Sequence, residues 1–598
     1  MIVRALAALL PAVCLALLWR LGRRRVPEPR ERLLAIALAS GVWIVADSEA
    51  LSLLGRLDAP SVRLSWLALA AALAVWVWRE RRVSASPPKP EPDRDPLPTA
   101  ERLLLLAAVA ASAVLLVVAV LAPPNTYDSM TYHMTRVVHW IQDGSLAHFP
   151  TANLRQIQYP PFAELCILHL QLLTGGDRLA NLPQWLALVG GAAGVSRLAG
   201  LLGAGLAGQL AAALFALTLP MGIAQASGTQ NDLVAAFWLV ALAWAVLRLR
   251  ASAPGTRAWP WALAAGVSAG LAAATKATVY VFAAPFALWM LVLLVQRERR
   301  SAWRSLAVAA LAALALNAGA FARNAALFGS PLGTRANRVL VANAAMGPRL
   351  LLSNVVRDLA VHANVSWLDV RAPVDRAVRG FHEAIGLPVA DRRISYERSP
   401  GFRILKKPTD DNEAGNGFHV LVLAGALGIV GWSWRRRPLS PEVGCALLLY
   451  ALAVVAGFLL FCLYLRWQWW TSRLQLPLFV LAAPLAGAAL AGVGRRTALA
   501  VSAALLVLAW PALVDNDTRS LVGERSVLRS DRTALLFANR PDLLAPYLQL
   551  AAAVRSTGCR SIGLVANYND YEYPFWILVE GGVERQVRFE HLAVDNEA

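Results

Sequence analysis

The chain has 598 residues, of which 57% are apolar and 16% charged, and Lys plus Arg (57) exceed Asp plus Glu (38) by 19. Soluble domains carry about 25% charged residues, so this composition excludes a disordered or ordinary soluble protein. The positive excess would suit a nucleic-acid partner, but here the basic residues lie between apolar runs, which excludes that reading in favour of membrane topology.

A helix needs about 20 apolar residues to cross a bilayer. In chain order, such runs lie near 3–19, 33–55, 61–78, 102–122, 180–202, 205–222, 232–249 and 258–275. They continue near 277–295, 304–322, 418–434, 441–465, 474–493 and 497–514. The expected fold class is therefore a polytopic α-helical membrane protein with about 14 transmembrane helices. The first run is followed by Arg20 and Arg23 to Arg25 and has no small-residue cleavage site, so it reads as a span rather than a signal peptide.

Basic connections set the orientation. Arg23–Arg25, Arg79, Arg81, Arg82, Arg248, Arg250, Arg257, Arg297, Arg299, Arg300, Arg435 to Arg437, Arg495 and Arg496 all alternate to one side, expected to be cytoplasmic. Both ends of the chain, the outer loops 123–179 and 323–417, and the tail then face outward. Residues 1–100 form a unit of three spans and a Pro-rich linker, Ser84–Leu97 (SASPPKPEPDRDPL); 101–514 form the main bundle. In the tail, 515–598, Leu543–Arg555 reads as a helix, Ser561–Ala566 as a short buried strand and Gln586–Leu592 as another, a small extracytoplasmic α/β domain.

The five cysteines (Cys14, Cys166, Cys445, Cys462 and Cys559) have no C-x-x-C spacing and indicate no disulfide framework or zinc site. Gly203-Ala-Gly205-Leu-Ala-Gly208 matches the dinucleotide fingerprint but lies between two spans, where close helix packing or a tight turn explains it better.

The first outer loop, PPNTYDSMTYHMTRVVHWIQDGSLAHFPTANLRQIQYPP (123–161), is the most informative stretch. Asp128 lies next to the membrane, where an ionised carboxylate is costly without partners or a task. It reads either as the N-cap of the following helix or as a catalytic acid–base group, and the two are compatible. Residues 130–141 should form an amphipathic interfacial helix, with Met130, Met134, Val137 and Ile141 on one face and His133, Arg136 and Trp140 on the other. His133, His139, His148 and His169 cluster in or just after this loop. His133 and His139, six apart, fall near opposite helix faces, unlike an i, i+4 zinc pair, and no metal-ligand set is evident.

Asp232, in GTQND (228–232), reads as a helix cap or as a second acid. Outer-side cations are Lys276 in TKAT (275–278), Arg323, Arg466 and Arg473. The last two flank Trp467, Trp469 and Trp470, which read as interfacial belt residues. An acid and several cations beside apolar walls suit a lipid-linked substrate with an anionic phosphate headgroup.

YDSMTYHMTRVVHWIQDG followed by YPPF resembles the first outer loop of GT-C-type glycosyltransferases that use polyprenyl-phosphate sugars, the protein-mannosyltransferase-like and aminoarabinose-transferase-like enzymes. GTQND, TKAT, RNAALFGSPL from Arg323 and RWQWWTSRLQLPLF extend the resemblance over roughly residues 100–515. It implies an inverting transfer from a polyprenyl-phosphate sugar to an acceptor hydroxyl at the outer face of a membrane, expected to be a bacterial inner membrane. Asp128 would be the general base and His133 its helper; Tyr132, Asp232, Lys276, Arg323 and Arg473 would hold the donor phosphate or substrate. The scheme needs no metal or other cofactor. The competing reading is a transporter or flippase of lipid-linked sugars, which would share the spans and the phosphate-binding cations.

Overall fold

The computed structural model describes residues 2–83, 96–397, 399, 401–404, 406–436, 441–580, 587–594 and 596. Most of the Ser84–Leu97 linker, Arg437 and Gln586 fall outside them. Every one of the fourteen apolar runs is helical. Among the described residues, ten helical stretches are long and apolar enough to cross a bilayer, or eleven counting one bent pair.

Of the four fewer than fourteen, one is Leu182–Leu201, a 20-residue helix that is not among the ten, and the other three have identifiable causes. Leu206–Leu217 and Pro220–Ala226 meet at 63°, because the proline cannot continue the first helix. Trp259–Thr275 has only 17 residues. Val279–Glu298 and Ala302–Phe328 are joined through a 3-10 turn at Arg299–Ser301 and count as one 50-residue stretch.

Two helices form the centre of the bundle. Asp232–Ala251 is 94% buried and Leu476–Val493 83%, against 17–33% for peripheral spans such as Arg4–Arg25 and Val279–Phe328. Their all-round apolar sequences match that position. Small residues let the helices approach: a Cβ on Gly208 would lie 2.7 Å from the Gly487 carbonyl oxygen and 2.6 Å from the Ala491 Cβ. Close packing of the Leu206–Leu217 helix against Leu476–Val493 thus accounts for this glycine of the decoy motif. Gly208→Val is expected to cost about 1–3 kcal/mol by overpacking, read as a lowered Tm in detergent.

Basic residues expected on one side do meet at one end. Glu31 pairs with Arg197 (2.7 Å) and Arg248 (3.3 Å), Arg25 with Glu80 (2.5 Å) and Arg297 donates to Ser252 (2.8 Å). The opposite end carries the loops 123–179 and 323–417 and the tail. In the tail, Leu544–Thr557 is helical, and strands Ser561–Leu564 and Arg588–His591 pair in parallel, Ser561 opposite Arg588. The first strand alternates exposed and half-buried positions instead of being buried. A helix not anticipated from sequence, Glu572–Glu580, connects the two strands. The tail folds onto the first outer loop: Arg155 donates to the Tyr568 carbonyl (2.8 Å), and Gln142 exchanges two bonds with the Phe589 backbone (3.0 and 2.8 Å).

Candidate active site at the outer-loop end

The segment after Asp128 is unusual in its backbone. Ser129–His133 is a π-helical turn that runs into the α-helix Met134–Asp143. Such turns insert a residue into the ladder and recur at functional sites. The expected one-sided amphipathic helix is corrected here: every residue from Ser129 to Trp140 is buried. The apolar face packs on the bundle, while the tail and the helix Phe162–Thr174 take the polar face, so hydrogen bonds replace the water an interfacial helix would use.

Asp128 makes no capping bond. Its Oδ2 instead accepts from Arg473 Nη1 at 2.9 Å, and Arg155 Nη1 lies 4.0 Å from Oδ1. The same Arg473 nitrogen reaches Gln230 Oε1 (2.9 Å) and Asn412 Oδ1 (2.6 Å), and Nε lies 3.9 Å from Asp232 Oδ2. Asp232 Oδ1 accepts from Lys276 Nζ at 2.5 Å. The order Asp128–Arg473–Asp232–Lys276 is thus a row of alternating charge, assembled from four separate segments. Burial alone would raise the Asp128 carboxyl; Arg473, His133 and Arg155 outweigh it and hold it near 2. Arg473 Nε and Asp232 Oδ2 are buried with no hydrogen-bond partner, so the centre of the row retains unused capacity.

His133 is held from behind. Its Nδ1 lies 2.7 Å from Glu164 Oε1, which also accepts from Arg136 at 3.2 Å. Burial opposes ionisation of Glu164, but Arg136 and His133 outweigh it and lower its titration, so the carboxylate accepts and the imidazole donates. The Tyr132 ring lies 4.1 Å from that of His133, and Arg155 sits over Tyr132 at 4.9 Å and over Tyr568 of the tail at 4.2 Å.

Arg323 is placed elsewhere. Its guanidinium grips Glu49 bidentately at 2.7 and 2.8 Å, which ties the helix Ala302–Phe328 to Pro29–Leu53. Arg466 donates to the Ala342 carbonyl (2.8 Å). Trp467, expected in an interfacial belt, is 1% exposed and packs 5.3 Å from Phe402, because the outer loop 323–417 folds over it. His169 accepts from Trp66 (2.9 Å) and meets Ser48 (2.9 Å), and His148 meets Asn324 (3.0 Å); both are packing residues.

Sequence reasoning missed Arg155, Glu164, Gln230 and Asn412. The acidic run DDNEAGN (410–416) carried a signal, since four polar side chains in a row beside a span need partners. It also missed Asp358, which accepts from Thr471 Oγ1 and Cys462 Sγ, both at 3.2 Å. Burial raises Asp358 to about 7 against those bonds. The folded state therefore holds this proton after the unfolded chain has released it, so stability falls as pH rises from about 4 to 7 and levels off above. Asp358→Asn should remove up to about 4 kcal/mol of that slope, visible in thermal melts across this range.

A second polar cluster joins loop and tail. His139 Nε2 lies 2.8 Å from Glu572 Oε1 and His591 Nε2 lies 3.1 Å from Glu572 Oε2, all three buried. These residues are the one group able to hold a metal ion among the described residues. The sequence separation of over 400 residues hid it.

The helices and this buried row of acids and cations define a multi-pass membrane protein with a polar site at one end of its bundle. Residues 158–320 match the family model of dolichyl-phosphate-mannose-protein mannosyltransferases, so the glycosyltransferase resemblance read from the motifs is shown over that stretch. It includes YPPF, GTQND with Asp232 and TKAT with Lys276, but not Asp128, Arg323 or Arg473. Among solved structures, the chain is similar to ArnT from Cupriavidus metallidurans bound to undecaprenyl phosphate, at 14% identity and a TM-score of 0.43, covering 80% of this chain and 76% of that one. For apo ArnT the figures are 16% and 0.41, with 81% and 75% covered. The Archaeoglobus fulgidus oligosaccharyltransferase tethered to an acceptor peptide gives 12% and 0.46, with 81% and 63% covered. No curated protein sequence shows significant similarity.

Proposed function

We propose that the chain is an inverting glycosyltransferase that moves a sugar from a polyprenyl-phosphate donor to an acceptor hydroxyl at the outer membrane face. The carrying observation is Asp128, ionised and held by Arg473, which is shared with Asp232 beside Lys276. The anionic phosphodiester of the donor would compete with both carboxylates for Arg473 and Lys276. Its arrival would loosen the Arg473–Asp128 pair and raise the carboxylate's basicity toward a value suited to proton transfer.

In the step itself, the acceptor O–H proton passes to Asp128 as its oxygen bonds to the anomeric carbon. The bond from that carbon to the phosphate oxygen breaks, and the polyprenyl phosphate leaves with the electron pair. Lys276 and Arg473 neutralise the charge that develops there, so no general acid is needed. A single displacement inverts the anomeric centre. His133, oriented by Glu164, stands beside Asp128; the apolar bundle would take the polyprenyl tail.

The test is transfer from a panel of labelled polyprenyl-phosphate sugars by purified protein, with membrane extract supplying the acceptor, wild type beside Asp128→Asn. Asp128-dependent transfer with an inverted anomeric product supports the reading. The bent pair Leu206–Leu217 and Pro220–Ala226 is the feature that suits a transporter. Donor movement across vesicles without transfer would establish that alternative instead.

A further inference from the structure

The cluster joining loop and tail has no place in the transfer chemistry. His139 comes from the helix Met134–Asp143, six residues beyond His133; Glu572 opens the helix Glu572–Glu580; His591 ends the strand Arg588–His591. Strand periodicity places Phe589 and His591 on the inward face, and the helix start aims Glu572 at the same point. We propose that His139, Glu572 and His591 bind one divalent transition-metal ion of the zinc type, which fastens the tail to the loop carrying Asp128.

Two imidazoles and a carboxylate form a donor set suited to zinc. One ligand atom from each residue lies within 4.8 Å of the others. Tetrahedral zinc with bonds of about 2.0–2.2 Å needs ligand atoms about 3.3–3.6 Å apart, so side-chain movements of about an ångström suffice.

The ligands are also held in place. The His139 ring stacks on Phe149 at 4.0 Å and meets the Trp576 edge at 4.9 Å. Gln156 Nε2 donates to Glu572 Oε2 (2.9 Å) and Trp576 Nε1 to Oε1 (3.1 Å), which fixes the carboxylate from outside. His591 Nδ1 is buried without a hydrogen-bond partner, so the ring can move its proton to that nitrogen and present the Nε2 lone pair, giving up only its bond to Glu572 Oε2.

The site stands independently of the transferase reading, and its test does not use activity. Full-length protein in detergent, stripped with a chelator, would be titrated with Zn2+ and with Co2+. About one equivalent should bind, Co2+ should give the intense visible bands of a tetrahedral site, and Zn2+ should raise Tm by several degrees, reversed by chelator. His591→Gln keeps an amide donor for Glu572 and should stay folded while losing the Co2+ bands and the Zn2+-dependent Tm shift. A wild-type protein whose Tm and spectrum ignore both metals would overturn the proposal, leaving Glu572 as a hydrogen-bond hub only. Equal binding by wild type and His591→Gln would overturn it as well.

Discussion

Asp128→Asn is expected to lower the turnover of sugar transfer by about three orders of magnitude, within the range that a positioned general base contributes. The change is nearly isosteric, and its amide oxygen can still accept from Arg473, so the fold and donor binding should persist. The loss should therefore fall on kcat, with KM for the donor changed little. Because Arg473, His133 and Arg155 hold the wild-type group near 2, it stays ionised across neutral pH, and this carboxylate should impose no pH dependence there until donor binding loosens the pair. Single-turnover transfer with measured donor affinity checks both points; unchanged kcat in a folded variant would remove Asp128 from the base role.

Arg473→Ala should do more damage of a different kind. Arg473 bonds to Asp128, Gln230 and Asn412 and lies 3.9 Å from Asp232. Its removal leaves two buried carboxylates with less compensation, a loss of about 3–5 kcal/mol for breaking a buried pair. It also removes a cation from the proposed phosphate site, worth about 10²–10³ in rate. Arg473→Lys separates the two effects, since it restores one charge but cannot span Asp128, Gln230 and Asn412 together. The lysine variant should recover much of the Tm lost by the alanine variant while donor binding stays weak. Full recovery of transfer by lysine would show that charge alone, and not the fork, is what the site requires.

The spans were legible because crossing hydrocarbon demands long apolar runs that satisfy their own backbone bonds, and every such run is helical. Asp128, Asp232, Lys276 and Arg473 were legible because a charge beside the bilayer is costly and so stands out. That reasoning weighs each charge alone, which is why it grouped Arg323 with them. Arg323 has the same type and the same expected side, yet Glu49 in a distant helix takes both its nitrogens.

Local pattern also read the helix after Asp128 as interfacial. An amphipathic face says only that two different surroundings exist; the tail and the helix Phe162–Thr174, not headgroups, supply the polar one. His139 shows the same limit, because its spacing from His133 argued against a metal pair, and its partners arrive from residues 572 and 591.

The sequence by itself determined the membrane class, the helical runs and which acids and cations required explanation, since hydrophobic length and the cost of isolated charge are local properties. Only the tertiary structure decided the partners: that Arg473 joins Asp128 to Asp232, that Glu164 stands behind His133, and that the tail closes over the first outer loop. Coulombic and hydrogen-bond energies depend on distances of a few ångströms in space, and separation along the chain does not encode them.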